Sequence, residues 1–94
     1  MYLLDEGDIK DIFLIVKNNN GIMTAGDITR ELVKKNNKKY YKEFNTSDDF
    51  LIKKKIIKYF NKELMKKLKK FSIYRKRKTT NNQFFYYYVD RKEK

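Results

Sequence analysis

The chain contains no cysteine, histidine, tryptophan or proline among its 94 residues. Without cysteine and histidine it can form neither a disulfide framework nor a zinc site of the finger type. A cysteine nucleophile and a histidine general base are excluded for the same reason. The 12 carboxylates form no recognisable catalytic pair, and no glycine-rich phosphate loop is present. We therefore expect a protein that is not an enzyme, with no cofactor, no metal and no evident small-molecule ligand.

Long hydrophobic runs are also missing. The longest uncharged apolar run, residues 12–16, covers five residues, whereas a membrane-spanning helix needs about 20. Asp5, Glu6 and Asp8 stand where a signal peptide would carry basic residues. The sequence therefore predicts an intracellular, cytoplasmic protein without a membrane partner.

Positive charge is abundant and unevenly distributed. Lys and Arg number 24 against 12 Asp and Glu, for a net charge of +12. Residues 1–33 hold three cations and six acids, net −3, whereas residues 34–94 hold 21 cations and six acids, net +15. Such a split indicates one face that meets a polyanion and an acidic edge elsewhere. Nucleic acid, an anionic membrane surface and a solvated lysine-rich surface all remain open, and the pattern favours nucleic acid.

Apolar spacing and capping patterns predict the first two helices. Four apolar residues at helical spacing predict a helix over residues 8–18, with Asp8 as its N-cap. The pattern from Thr24 to Asp27 has the form of a capping box and predicts a second helix over residues 25–35. Residues 36–49 read either as a helical turn or as an ordered loop.

A long third helix is predicted over residues 47–70. Six apolar residues fall on one stripe of that helix: Phe50, Ile57, Phe60, Leu64, Leu68 and Phe71. Five lysines form a second ridge: Lys55, Lys58, Lys62, Lys66 and Lys69. Like charges on one ridge repel each other, so the ridge indicates a surface that phosphates neutralise. A lysine-rich solvated face is the alternative.

The C-terminal part alternates as a β-hairpin does. Residues 72–78 and 83–89 flank Thr79-Thr80-Asn81-Asn82, which is typical turn chemistry. Alternation groups Tyr74 with Tyr87 on one face and leaves open which face packs on the helices. The other face carries Ile73, Arg75 and Arg77 with Phe84, Tyr86 and Tyr88. Residues 75–78 are four consecutive cations before the turn. These cations indicate either a basic projection that contacts phosphates or an edge strand whose charges prevent pairing with another chain. The arginines favour the first interpretation.

The order of elements resembles a known family. The winged helix-turn-helix proteins have the same order: a helix, a short apolar step (here residues 22–23), two further helices and a basic hairpin. Residues 23–32 are similar to the start of the family's second helix, where Thr or Ser caps the helix. Residues 64–76 are similar to the passage from recognition helix to wing, where a Leu-x3-Leu repeat precedes the first wing strand.

The resemblance implies a mainly α fold with a small β-hairpin, that is, a three-helix core plus a C-terminal wing. A single winged-helix domain over residues 1–94 is expected, with flexible termini at 1–7 and 91–94 and a short third strand at 22–23. The periodicity predicts these residues to be largely buried: Ile9, Ile12, Phe13, Val16, Ile28, Leu32, Ile57, Phe60, Leu64 and Leu68.

The resemblance also implies binding to duplex DNA, as a small transcriptional regulator on the nucleoid or on host DNA. The third helix would enter the major groove and the wing would follow the backbone or the minor groove. Lysines would mainly contact phosphates, because a flexible ammonium reads bases poorly. The expected DNA-binding residues are Lys55, Lys58, Tyr59, Lys62, Lys66, Arg75, Lys76, Arg77, Lys78, Asn81 and Asn82.

Two other functions remain open at this point. Winged helices also serve as protein-interaction modules, because a fold does not determine a function. The five consecutive aromatic residues 84–88 exceed what one hairpin needs, which favours a homodimer interface, a partner site or stacking on the bases of RNA or single strands.

Overall fold

Helices make up most of the residues that the structure describes. The structure, a computed structural model, describes residues 4–19, 22–77 and 84–89. Within these ranges the fold is α+β, with five helices and one three-stranded antiparallel sheet. In chain order the elements are α1 (Glu6–Asn18), β1 (Met23–Thr24), α2 (Ala25–Lys35), α3 (Asn37–Phe44), α4 (Asp49–Ile57), α5 (Lys62–Lys69), β2 (Ile73–Arg77) and β3 (Phe84–Tyr88). Among the described residues, no helix is long and apolar enough to cross a membrane.

Helix α1 begins two residues earlier than predicted, because Asp5 and not Asp8 is its N-cap. The Asp5 carboxylate accepts from the Asp8 N–H at 2.9 Å, and the Asp8 carboxylate accepts from the Asp5 N–H at 3.0 Å. The two acids thus form a capping box. Leu4 is buried, and Glu6 and Gly7 are helical, whereas the flexibility expected for residues 1–7 stays a prediction. Residues 1–3 and 91–94 lie outside the described residues.

Helix α2 confirms the prediction made from its capping box. Thr24 Oγ1 accepts from the Asp27 N–H at 3.1 Å, and Asp27 accepts from the Thr24 N–H at 3.2 Å. The short third strand is also confirmed, shifted by one residue to Met23–Thr24. Ile22 consequently lies outside the strand and is 61% exposed.

Residues 36–49, which the sequence left open, contain helix α3. Its Tyr40 side chain is fully buried, and the hydroxyl donates to the carboxylate of Asp8 on α1. Lys39 Nζ lies 3.0 Å from Asp8 Oδ1. These contacts satisfy a fully buried carboxylate, which would otherwise carry a large desolvation cost. A polar network therefore fastens α3 to the start of α1.

The predicted long third helix is wrong, because the chain breaks at residues 58–61 and forms α4 and α5 separately. The Asn61 side chain accepts from the Leu64 N–H at 3.1 Å and caps a new helix. An asparagine that bonds to the backbone in this way competes with continuation of a helix. The predicted three-helix core is accordingly a five-helix arrangement within the described residues.

The break also changes which apolar side chains face the core. Ile52 and Ile56 face the core from α4, whereas Phe50 is 66% and Ile57 40% exposed. The predicted burial of Ile57 is therefore wrong. Phe60 and Phe13 are only partly buried and pack against the core. The other predicted core residues are buried as expected: Ile9, Ile12, Val16, Ile28, Leu32, Leu64 and Leu68.

The sheet confirms the hairpin and the predicted grouping of its residues on two faces. Its strand order is β1-β3-β2, and Arg75 pairs with Tyr86 on β3. Ile73 and Tyr86 are buried in the core, so their face packs on the helices. Strand β2 is an edge strand, and its outward face carries Tyr74. The predicted turn, Thr79-Thr80-Asn81-Asn82, lies outside the described residues.

A left-handed residue joins α5 to the sheet. Ser72 has φ 66°, a conformation that costs most side-chain-bearing residues energy. Its carbonyl accepts from the Val89 N–H at 3.0 Å, which ties the end of β3 to this turn. The turn directs the chain from α5 straight into β2, so that the helix and the hairpin lie side by side.

Candidate nucleic-acid interface

A basic groove runs between α5 and the hairpin. Helix α5 packs on β2, and the open groove beside them has a volume of about 500 Å³. It is lined by Lys62, Met65, Lys66, Lys69, Tyr74, Arg75 and Tyr87. Four of these residues are cations and none is acidic. We call this surface the α5–hairpin groove.

The helical side of the groove is a short row of lysines. Burial of Leu64, Met65 and Leu68 fixes the inner face of α5, so that Lys62, Lys66 and Lys69 lie on one outer side. At 1.5 Å per residue these three span about 10 Å of helix axis. One strand of B-DNA carries about three phosphates over that axial length. The spacing of the lysines therefore suits consecutive phosphates of one strand.

The single acid near this row neutralises it only weakly. Glu63 Oε2 lies 3.9 Å from Lys66 Nζ, and both side chains are largely exposed. Exposed pairs of this kind contribute little, because water screens them. Among the described residues, no carboxylate lies within ion-pair distance of Lys62, Lys69 or Arg75. Carboxylates among the described residues therefore leave most of the positive charge of the groove unneutralised.

The strand side of the groove holds an ordered arginine. The guanidinium carbon of Arg75 lies 4.1 Å from the ring centroid of Phe84, and that of Arg77 lies 5.3 Å from the same ring. Stacking on an aromatic face orients a guanidinium while its N–H groups stay able to bind phosphate. Arg75 is therefore held in place beside the lysine row.

The groove also contains a pair of tyrosines. Tyr74 on β2 and Tyr87 on β3 are cross-strand partners, with ring centroids 6.2 Å apart and planes inclined by 36°. Both are partly exposed and both line the groove. The predicted site omitted them, together with Lys69. Alternation had grouped Tyr74 with Tyr87 on one face, but the face that packs on the helices was not decided by sequence.

Several titratable side chains outside the groove form hydrogen bonds with one another. Burial opposes the charged form of Lys39, but its bonds to Asp8 and Asp5 outweigh this and raise its pKa. The hydrogen bond from the Asp8 N–H, together with Lys39, holds the pKa of Asp5 below its usual value. A hydrogen bond to Asp49 raises the pKa of Tyr41. These groups fasten α3 to its neighbours and lie outside the groove.

The structure brings only part of the predicted site together. Lys62, Lys66 and Arg75 meet in the groove. Lys76 and Arg77 are exposed farther along β2, beyond the lining residues. Lys78, Asn81 and Asn82 lie outside the described residues.

The remaining predicted residues lie around helix α4. Lys55 and Lys58 are exposed on α4 and at its C-cap, and they do not line the groove. Helix α4 packs on α2 and α3, whereas α5 packs on β2 and α1. The predicted continuous lysine ridge is therefore wrong, because its members lie on two separate helices. Tyr59 is partly buried and borders a different cavity with Leu4 and Ile9.

Comparisons with known proteins identify no relative of this chain. The chain matches no family model, no curated protein and no solved structure. In the described part of the chain, no cluster of three or more acidic side chains is arranged to hold a metal ion. The α5–hairpin groove and its charge are therefore the observations on which a function has to rest.

Proposed function

We propose that this protein binds duplex DNA through the α5–hairpin groove and acts as a small transcriptional regulator, not as an enzyme. The observation that carries the proposal is the convergence of Lys62, Lys66, Lys69 and Arg75 on one groove without a lining acid. Cations that release counterions from phosphates supply most of the affinity of such proteins for DNA. On this proposal α5 lies against the duplex and β2 follows the backbone.

The element order supports a winged-helix reading of the fold. Strand β1 pairs with the returning strand β3, and the hairpin follows the last helix directly. In this reading α5 takes the part of the recognition helix and the hairpin that of the wing. Helices α3 and α4 are then additional elements between the second helix and α5.

A salt titration of binding to a 20-base-pair duplex tests the proposal. Four groove cations predict a slope of log K against log salt of about −3.6, and about −5.4 if Lys76 and Arg77 also contact phosphates. A slope near zero would overturn DNA binding.

A second candidate function is a protein-interaction module. Helix α4 exposes Phe50, Leu51 and Ile57, and exposed apolar side chains on one helix are typical of partner surfaces. Binding of a protein partner through these residues would vary little with salt. The same titration therefore separates the two candidates.

A further inference from the structure

The outward face of the hairpin carries aromatic side chains that the core does not require. Ile73 and Tyr86 supply the buried face of the hairpin. Tyr74 and Tyr87 project from the opposite face and line the α5–hairpin groove beside Lys66 and Lys69. A cross-strand tyrosine pair gives a hairpin some stability, but that role does not need the rings to border a row of cations.

Paired and unpaired bases differ in what they offer to such rings. Inside a duplex the base faces stack on one another, so a protein meets base edges and phosphates. An unpaired base exposes its face, and a tyrosine ring can stack on it whatever the base is. An unpaired base beside the duplex therefore offers Tyr74 and Tyr87 a base face on which to stack, which the interior of a duplex does not.

We propose that the groove recognises a junction between duplex and single-stranded DNA. Lys62, Lys66, Lys69 and Arg75 bind phosphates of the duplex and of the strand that leaves it. The rings of Tyr74 and Tyr87 stack on the first unpaired base. This inference rests on the proposed function and narrows its substrate from duplex DNA in general to duplex ends with an overhang.

Fluorescence anisotropy with three DNA probes tests the inference. The probes are a blunt 16-base-pair duplex, the same duplex with a four-nucleotide overhang, and the overhang strand alone. Stacking of one base on a tyrosine predicts at least about fivefold tighter binding to the overhang duplex than to the blunt one. Equal affinities for these two probes would overturn the junction proposal and leave duplex binding intact.

Substitution of Tyr87 locates the effect. We expect Tyr87→Leu, which removes the aromatic face but keeps apolar bulk, to weaken binding to the overhang duplex at least about fivefold more than binding to the blunt duplex, so that the preference for the overhang is lost. Tyr87→Phe retains a stacking face and should retain the preference. An unchanged preference for the overhang in Tyr87→Leu, or a preference lost in Tyr87→Phe, would contradict the assignment.

The wild-type chain provides a check that does not depend on the fold of a variant. A photoreactive halogenated uracil at the first overhang position should crosslink to Tyr74 or Tyr87. A crosslink confined to residues outside the groove would overturn the proposal. Two other outcomes would overturn the proposed binding to duplex DNA itself. One is that the single strand binds as tightly as the overhang duplex, and the other is that no probe binds in a salt-dependent way.

Discussion

Lysines on the two sides of α5 provide a matched test of the DNA interface. Lys62 and Lys66 line the α5–hairpin groove, whereas Lys67 and Lys70 border a cavity beside Glu6 and Gly7 of α1. All four are exposed. We compare the double variant Lys62→Gln/Lys66→Gln with Lys67→Gln/Lys70→Gln. Each variant loses two positive charges, and glutamine is about as good a helix former as lysine.

The expected loss follows from counterion release. Each phosphate contact contributes about 0.9 to the salt slope, which at about 0.15 M salt is worth about 1 kcal/mol of binding free energy. Removal of the two groove lysines should therefore weaken duplex binding about 30-fold and reduce the slope by about 1.8. The control variant should lose only what the lower net charge removes from the long-range field, within about threefold.

Fluorescence anisotropy on one duplex at several salt concentrations measures both quantities, and thermal melts verify that both variants fold. Equal losses in the two double variants would show that only net charge matters. In that case the α5–hairpin groove is not the interface.

Three further predictions concern the elements that form the groove and its scaffold. Asn61→Ala removes the cap of α5 and should lower the free energy of unfolding by about 1 kcal/mol. Thermal melts should show a melting temperature lower by about 4–8 °C, and an unchanged melting temperature would mean that the cap does not define the break. Ser72→Gly removes the side chain at φ 66° and should raise stability by up to about 1 kcal/mol in urea unfolding, whereas destabilisation would contradict the left-handed turn. The lowered pKa of Asp5 contributes stability that is present above its unfolded value of about 3.8 and is lost as pH falls through the folded value. Asp5→Asn keeps a capping side chain but cannot titrate, so melts between pH 2 and pH 6 should show a flatter acid limb than wild type, and identical acid limbs would exclude the effect.

Features that depend on neighbouring residues were predictable from sequence. The Thr24 and Asp27 pattern placed α2 correctly, because both hydrogen bonds of a capping box form within four residues. Strand alternation predicted that Arg75 shares a face with Tyr86, since a two-residue period follows from the pleat alone.

Features that depend on distant residues were not predictable. Asp8 matches an N-cap in sequence, yet it is the buried partner of Tyr40, which lies 32 positions away. The apolar stripe over residues 50–71 fitted one straight helix. The Asn61 cap is a local signal for a new helix, but the choice between one helix and two shorter ones also depended on packing of Ile52 and Ile56 in the core.

The candidate site shows the same division. The lysine spacing on α5 and the cations of β2 were visible in the sequence. Their meeting in one groove required the turn at Ser72 and the packing of the hairpin through Ile73 and Tyr86. Those tertiary contacts bring Tyr74 and Tyr87 beside the lysines. The break at residues 58–61 separates Lys55 from the row to which it was assigned.

Mapping the position of bound DNA on the protein tests whether the α5–hairpin groove is the interface. Backbone amide chemical shifts, recorded while a duplex is added to the labelled chain, report that location residue by residue. The α5–hairpin groove predicts the largest changes at residues 62–69 of α5 and at 73–77 of β2. Changes concentrated on α4 around Phe50 and Ile57, with α5 and β2 undisturbed, would contradict it.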